Sequence, residues 1–214
     1  MSLKLFYPRE ENLVKYWMNN LNGDLFIDIG AGEGQYSINL SNNFNEIWAI
    51  EPFSRHFRLL NKNIEKYGIS NIKTFKVAIG DRIGSLKLYG NREILLSHGS
   101  PSAKQTYTAS VIGKTFRFKD ILEEVKELTL ERLIGKRMVD LIKVDVEGYE
   151  SNVLKGAKEV MNQINAWQIE VHDWLEKEEI VNSLYSYNYK VEEKSASYIY
   201  NPIKSGGWLI ARRI

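Results

Sequence analysis

No cysteine occurs in the 214-residue chain, which excludes disulfides, thiolate metal sites and cysteine nucleophiles at once. The absence suits a reducing compartment, so a cytoplasmic location is expected. Charge of one sign is also lacking. The 29 Lys and Arg against 27 Asp and Glu leave a formal net charge of +2, too little to mark a nucleic-acid binder or a membrane-surface protein. No apolar run reaches membrane-spanning length. Residues 1–11 mix Lys4, Arg9 and Glu10 with a proline and have no apolar export core. No nucleic-acid partner and no membrane partner are therefore expected.

The chain does have 43% hydrophobic and 26% charged residues, enough to bury a core and stay dissolved. No composition break divides it, and one domain over residues 1–214 is expected. Leu13, Val14, Trp17, Met18 and Leu21 share one helical face, which makes residues 1–23 an N-terminal flanking helix. Asp24 to Ile29 reads as a buried strand, followed by a glycine turn, residues 30–34, and a helix starting near Tyr36. A second strand, Glu46 to Ile50, closes on Glu51-Pro52. Phe53, Phe57, Leu60, Ile64 and Tyr67 then form the seam of an amphipathic helix ended by Gly68.

Ile72 to Ile79 reads as one strand, with Ser85 to Tyr89 as its antiparallel partner across a turn. The polar, aperiodic stretch 90–114, with Ser97, Ser100, Ser102 and Tyr107, is expected to be a loop that closes over a substrate. An extended piece over Val125 to Leu128 precedes Thr129, a cap for a short helix, Leu130 to Ile134. Val139 to Val144 is the next buried strand, Glu150 to Met161 a crossover helix and Ala166 to His172 another strand. After a further helix marked by Leu175, Ile180, Val181 and Leu184, Tyr189 to Glu193 and Trp208 to Arg212 are expected to pair antiparallel. Trp208, Tyr185, Tyr187 and Tyr189 read as core.

This alternation predicts an α/β, Rossmann-like sheet, mainly parallel, with a C-terminal antiparallel hairpin and helices on both faces. Ligands on such sheets sit beyond the carboxyl ends of the strands. There the sequence places Asp28, Gly30, Gly32, Gly34, Glu51 and an acidic turn of Asp145, Glu147 and Glu150. The glycines allow close backbone approach, and the following helix start offers N–H groups to an anion. A dinucleotide fingerprint needs glycine where Gln35 stands, and Glu33 beside a pyrophosphate is unfavourable. S-adenosylmethionine has no phosphate and carries two cations, so the acidic surroundings suit it. Glu51 is placed to accept the ribose hydroxyls.

With these residues in view, the chain resembles the FkbM family of S-adenosylmethionine-dependent methyltransferases, within the class I methyltransferase fold. The resemblance rests on FIDIGAGEGQYS (Phe26 to Ser37), AIEP (Ala49 to Pro52), VAIGD (Val77 to Asp81), TLERLI (Thr129 to Ile134), DLIKVDVEGYESNVLKGA (Asp140 to Ala157) and IEVH (Ile169 to His172). It implies a small-molecule or glycan acceptor, with O-methylation of a hydroxyl on a sugar or another small natural-product scaffold. By the same resemblance, Asp28, Gly30, Gly32 and Tyr36 line the methionine end, Glu51 the ribose, and Ala78 and Ile79 the adenine, with Asp145 near the sulfonium and Pro52 also among the cofactor-binding residues. Gly32-Glu33 stands where family members often have Ala-Asn.

Methyl transfer to oxygen needs alignment and a proton acceptor, for which His172, oriented by Glu170, or Asp145 is the candidate. A metal held by Asp145, Glu170 and His172 is chemically possible, but the resemblance brings no metal motif, so none is expected. His56 and His98 read as solvent-facing. An NAD-dependent oxidoreductase and an RNA methyltransferase are the alternatives. The first is opposed by Gln35, which stands where the dinucleotide fingerprint needs glycine. The second is opposed by the near-neutral charge and the absence of an Asn-Pro-Pro-Tyr-type motif.

Overall fold

The computed structural model describes residues 4–5, 11–90, 120–194 and 207–214. Helix α1 (Glu11–Asn20) leads into β1 (Gly23–Ile29), α2 (Gln35–Asn39), β2 (Phe44–Ile50), α3 (Ser54–Lys66), β3 (Ile72–Phe75), β4 (Ala78–Ile79) and β5 (Gly84–Gly90). Next come β6 (Asp120–Leu128), α4 (Leu130–Ile134), β7 (Leu141–Val144), α5 (Glu150–Lys155), a 3-10 turn (Lys158–Gln163), β8 (Ala166–Glu170), α6 (Trp174–Ser186), β9 (Tyr189–Lys194) and β10 (Trp208–Arg213). One seven-stranded sheet runs β3-β2-β1-β7-β8-β10-β9, and a smaller sheet runs β4-β6-β5. The large sheet is parallel except at β10, which lies between β8 and β9 and pairs antiparallel with both. The strand order turns between β1 and β7, so the crevice predicted for ligands opens there.

The central strands are apolar on both faces because helices cover both. Leu25, Ile27 and Ile29 of β1 face one buried cluster with Ile142, Val144 and Trp167. Phe26 faces another with Val14, Trp17, Tyr36 and Leu141. Asp28 and Lys143 are register partners on adjacent strands, β1 and β7, so two ionisable groups share the second face. α1 buries Val14 and Trp17 as its periodicity requires. Thr129 caps α4 by accepting from Arg132 N–H at 3.2 Å. Thr129→Ala is expected to lower the unfolding free energy by about 1 kcal/mol, read as a lower urea midpoint at unchanged m-value.

Three expectations need correction. Residues 72–79 do not form one strand, because β3 stays in the large sheet while β4 joins the small one. Nor does β5 pair with β4: it lies antiparallel to β6, which separates the two. The helix expected over Glu150 to Met161 stops at Lys155 and continues as the 3-10 turn. A Cβ at Gly156 would lie 1.9 Å from the Gly80 carbonyl oxygen, so the chain bends where two backbones touch. Among the aromatic residues, Trp208 and Tyr189 are buried as expected, but Tyr185 is exposed. His56 is half-buried edge-on to Phe53 instead of facing solvent, and burial lowers its pKa. His98 and most of 90–114 lie outside the described residues. Among the described residues, no helix is long and apolar enough to cross a membrane.

Candidate active site

The glycine turn leaves β1 through Gly30, Gly32 and Gly34, all with positive φ, a conformation that penalises a Cβ. Their surroundings differ. A Cβ on Gly30 would lie 1.8 Å from the Asp145 carbonyl oxygen and one on Gly34 2.7 Å from Leu60, whereas one on Gly32 would meet nothing within 4 Å. Gly32 thus presents bare backbone to open space. The helix after the turn, α2, has only five residues, and the N–H groups of Gly30, Ala31, Gly32 and Gly34 are already bonded to Ile50, Ile50, Glu51 and Ala31, so the anion site expected at the helix start is smaller than the sequence predicts.

Glu51, only 5% exposed, follows β2 and faces this turn. One carboxylate oxygen accepts from Gly32 N–H at 2.8 Å and the other from Phe53 N–H at 2.9 Å. Burial pushes its pKa up to about 7, against the lowering effect of those two N–H groups and Lys143. Each oxygen retains a second lone pair, so the carboxylate can shape the turn and still accept a hydroxyl.

Four residues expected to line a cofactor lie deeper. Asp28 is fully buried and accepts from the Ser37 hydroxyl at 2.7 Å and backbone N–H at 3.2 Å. Tyr36 is 2% exposed, with its hydroxyl accepting from Gln168 Nε2 at 2.7 Å. The side chains of Ala78 and Ile79 belong to two hydrophobic clusters, leaving their backbone for any ligand. Pro52 is half-buried beside Glu51. Asp28 and Tyr36, of types that tolerate exposure, are instead fixed by partners on α2 and β8.

Sequence reasoning missed Lys143. Its ammonium, nearly inaccessible on β7, donates to the Gly30 carbonyl at 2.9 Å and reaches Asp145 Oδ2 at 3.3 Å and Asp28 Oδ1 at 3.5 Å. It also stands 5.3 Å from the Tyr36 ring centroid. The available signal was a lysine in a strand, Leu141–Val144, otherwise apolar on both faces. A charge there requires nearby counter-charges.

His172, beyond β8, lies among four carboxylates. Nδ1 is 2.9 Å from Glu150 Oε1, and Nε2 lies 3.4 Å from Glu147, 3.7 Å from Asp145 and 3.9 Å from Glu170. Burial alone lowers its pKa, but the Glu150 hydrogen bond and the charges of Glu147, Asp145 and Glu150 outweigh this and raise it to about 10. An imidazolium has no lone pair for a proton, so near neutrality His172 is unsuited to the base role offered from sequence. The structure does bring Asp145 and His172 together. Asp145, Glu147 and His172 present ligand atoms within 4.8 Å of one another, so Glu147 replaces Glu170 in the trio a metal would need. The arrangement is equally that of a histidine cation neutralised by acids.

The FkbM methyltransferase domain matches residues 28–191. Methyltransferase 1 of Beauveria bassiana (strain ARSEF 2860) is 26% identical over 141 residues, which is 61% of this chain and 57% of that protein. The crystal structure of methyltransferase FkbM from Methylobacillus flagellatus KT aligns with a TM-score of 0.62 at 17% identity, over 88% of this chain and 43% of that one. M. capricolum TrmK, in complex with S-adenosyl-homocysteine, gives a TM-score of 0.54 at 19% identity, over 97% of this chain and 68% of that one. The chain thus spans about half the length of the first two proteins. The structural likenesses establish the shared α/β sheet. The family match extends from Asp28 at the end of β1 to Val191 in β9, taking in the glycine turn, Glu51 and the acidic turn, and the chain belongs to the FkbM methyltransferase domain family.

Proposed function

We propose that the crevice between β2, β1 and β7 binds S-adenosylmethionine, and that the protein directs its methyl group to a hydroxyl oxygen of a sugar or similar natural-product scaffold. The carrying observation is the pairing of buried Glu51 with the bare backbone at Gly32, which together offer a hydroxyl acceptor beside an unobstructed surface. That combination fits a phosphate-free nucleoside better than a dinucleotide, whose pyrophosphate would face Glu51, Glu33 and Asp145. When bound, the cofactor supplies an electrophilic methyl group on a sulfonium.

The chain's own residues then align and deprotonate. Asp145, one-fifth exposed at the crevice, has its Oδ2 held by Lys143 and its Oδ1 facing His172, and is the group placed to accept the hydroxyl proton. His172 as imidazolium anchors Asp145, Glu147 and Glu150 around the acceptor side.

Calorimetry with S-adenosylmethionine and, separately, NAD tests the cofactor. Saturable micromolar binding of the first alone is expected, with Glu51→Gln weakening it by about thirtyfold through loss of one charged acceptor when measured at an alkaline pH above the Glu51 pKa of about 7. Saturation by NAD alone would reverse the assignment. Radiolabelled methyl transfer to hexosides but not to bulk RNA is expected, and the opposite pattern would replace the hydroxylated small acceptor with RNA.

A further inference from the structure

The buried ammonium of Lys143 contacts two carboxylates at the strand ends, Asp28 and Asp145. It holds the carbonyl of the first turn glycine and one oxygen of Asp145, and it faces the Asp28 oxygen that has no hydrogen bond. Asp28 in turn holds the first turn of α2 through Ser37. One cation therefore fixes the ends of β1 and β7 and reduces the negative field there.

We propose that Lys143 is a positioning residue that orients Asp145 and limits the crevice's attraction for a cationic ligand. In this arrangement cationic S-adenosylmethionine gains little affinity over neutral S-adenosylhomocysteine. The reasoning rests on the cofactor reading above. Donor and product differ in one positive charge at sulfur, and that charge leaves the cofactor when the methyl group transfers. With Asp145 and Asp28 uncompensated, the crevice would hold the charged form too well and resist its loss. With the ammonium in place, Asp145 keeps one orientation and the two forms bind more evenly.

The test uses the full chain with S-adenosylmethionine and S-adenosylhomocysteine as probes in calorimetry. Wild-type protein is expected to bind the homocysteine form at least as tightly as the methionine form. In Lys143→Met, the ratio of the homocysteine to the methionine dissociation constant is expected to rise by about tenfold, the size of effect one charge exerts across a partly buried crevice. Lys143→Gln keeps an uncharged polar N–H donor in the strand and guards against failure of the methionine variant to fold; the same rise is expected there. Lys143→Arg keeps the charge and should restore the wild-type ratio. A purely structural lysine would weaken both ligands equally and leave the ratio alone. An unchanged or falling ratio in a folded neutral variant overturns the proposal. Should neither neutral variant fold, a tenfold wild-type preference for S-adenosylmethionine overturns it and parity supports it. If wild-type protein binds neither probe, the cofactor reading fails and this inference falls with it.

Discussion

Gly30→Ala is expected to lower the unfolding free energy by about 4 kcal/mol, combining the cost of overpacking with that of a left-handed alanine. The added methyl would lie 1.8 Å from the Asp145 carbonyl oxygen, at a residue with φ of +75°. Neither partner can yield easily, since Gly30 N–H is bonded to Ile50 O and Asp145 N–H to Ile29 O. Relief would have to separate β1 from β7 where the crevice forms. Gly32→Ala is the contrasting variant. Its methyl meets nothing within 4 Å, so only the conformational penalty of about 1 kcal/mol applies, yet the methyl stands where a ligand would approach. Urea unfolding should separate the two, and calorimetry should show weakened S-adenosylmethionine binding by the stable Gly32 variant. A Gly30→Ala chain within 1 kcal/mol of wild type would mean that the two strand ends are not pressed together as described.

Raising the pH from about 6.5 to 10 should remove several kcal/mol of stability, on the order of 3 to 5 from the histidine cluster at 1.36 kcal/mol per pKa unit. The His172 pKa is raised from 6.5 to about 10 in the folded chain. Protonation therefore stabilises the fold fully below the unfolded value, and that stabilisation disappears as pH rises through the folded value. Glu51 acts in the same direction over a lower range. Its pKa is raised to about 7, so the neutral form is favoured in the fold and its contribution is lost between about 4.5 and 7. His172→Gln should flatten the alkaline part of the profile and leave the lower part intact. Equal slopes above pH 7 in the two proteins would show that the four carboxylates do not hold an imidazolium. Near neutrality, Asp145 is then the better candidate to receive a substrate proton.

Local patterns carried some elements into the structure almost unchanged. The spacing of Val14 and Trp17 reports a helix face because it depends only on the helical period. Thr129 reports a helix start because its partner, Arg132, is three residues away. Glycines 30, 32 and 34 report a turn through their own allowed backbone angles. The misreadings occur where distant segments choose the outcome. β4 leaves the large sheet because β6 supplies a parallel partner, and the helix after Glu150 bends because Gly80 touches Gly156.

The candidate site divides along the same line. Sequence by itself determined the order of strand, glycine turn and strand-end glutamate, and an acidic turn followed by a histidine, since these are written in contiguous segments. Tertiary structure alone decided that Asp28 and Tyr36 turn inward, that His172 is surrounded by acids and that Lys143 lies between Asp28 and Asp145. A side chain's charge state and its access to a ligand depend on the groups within a few ångströms of it. Here the register of β1 against β7 and the return of β8 beside them bring those groups together from opposite ends of the chain.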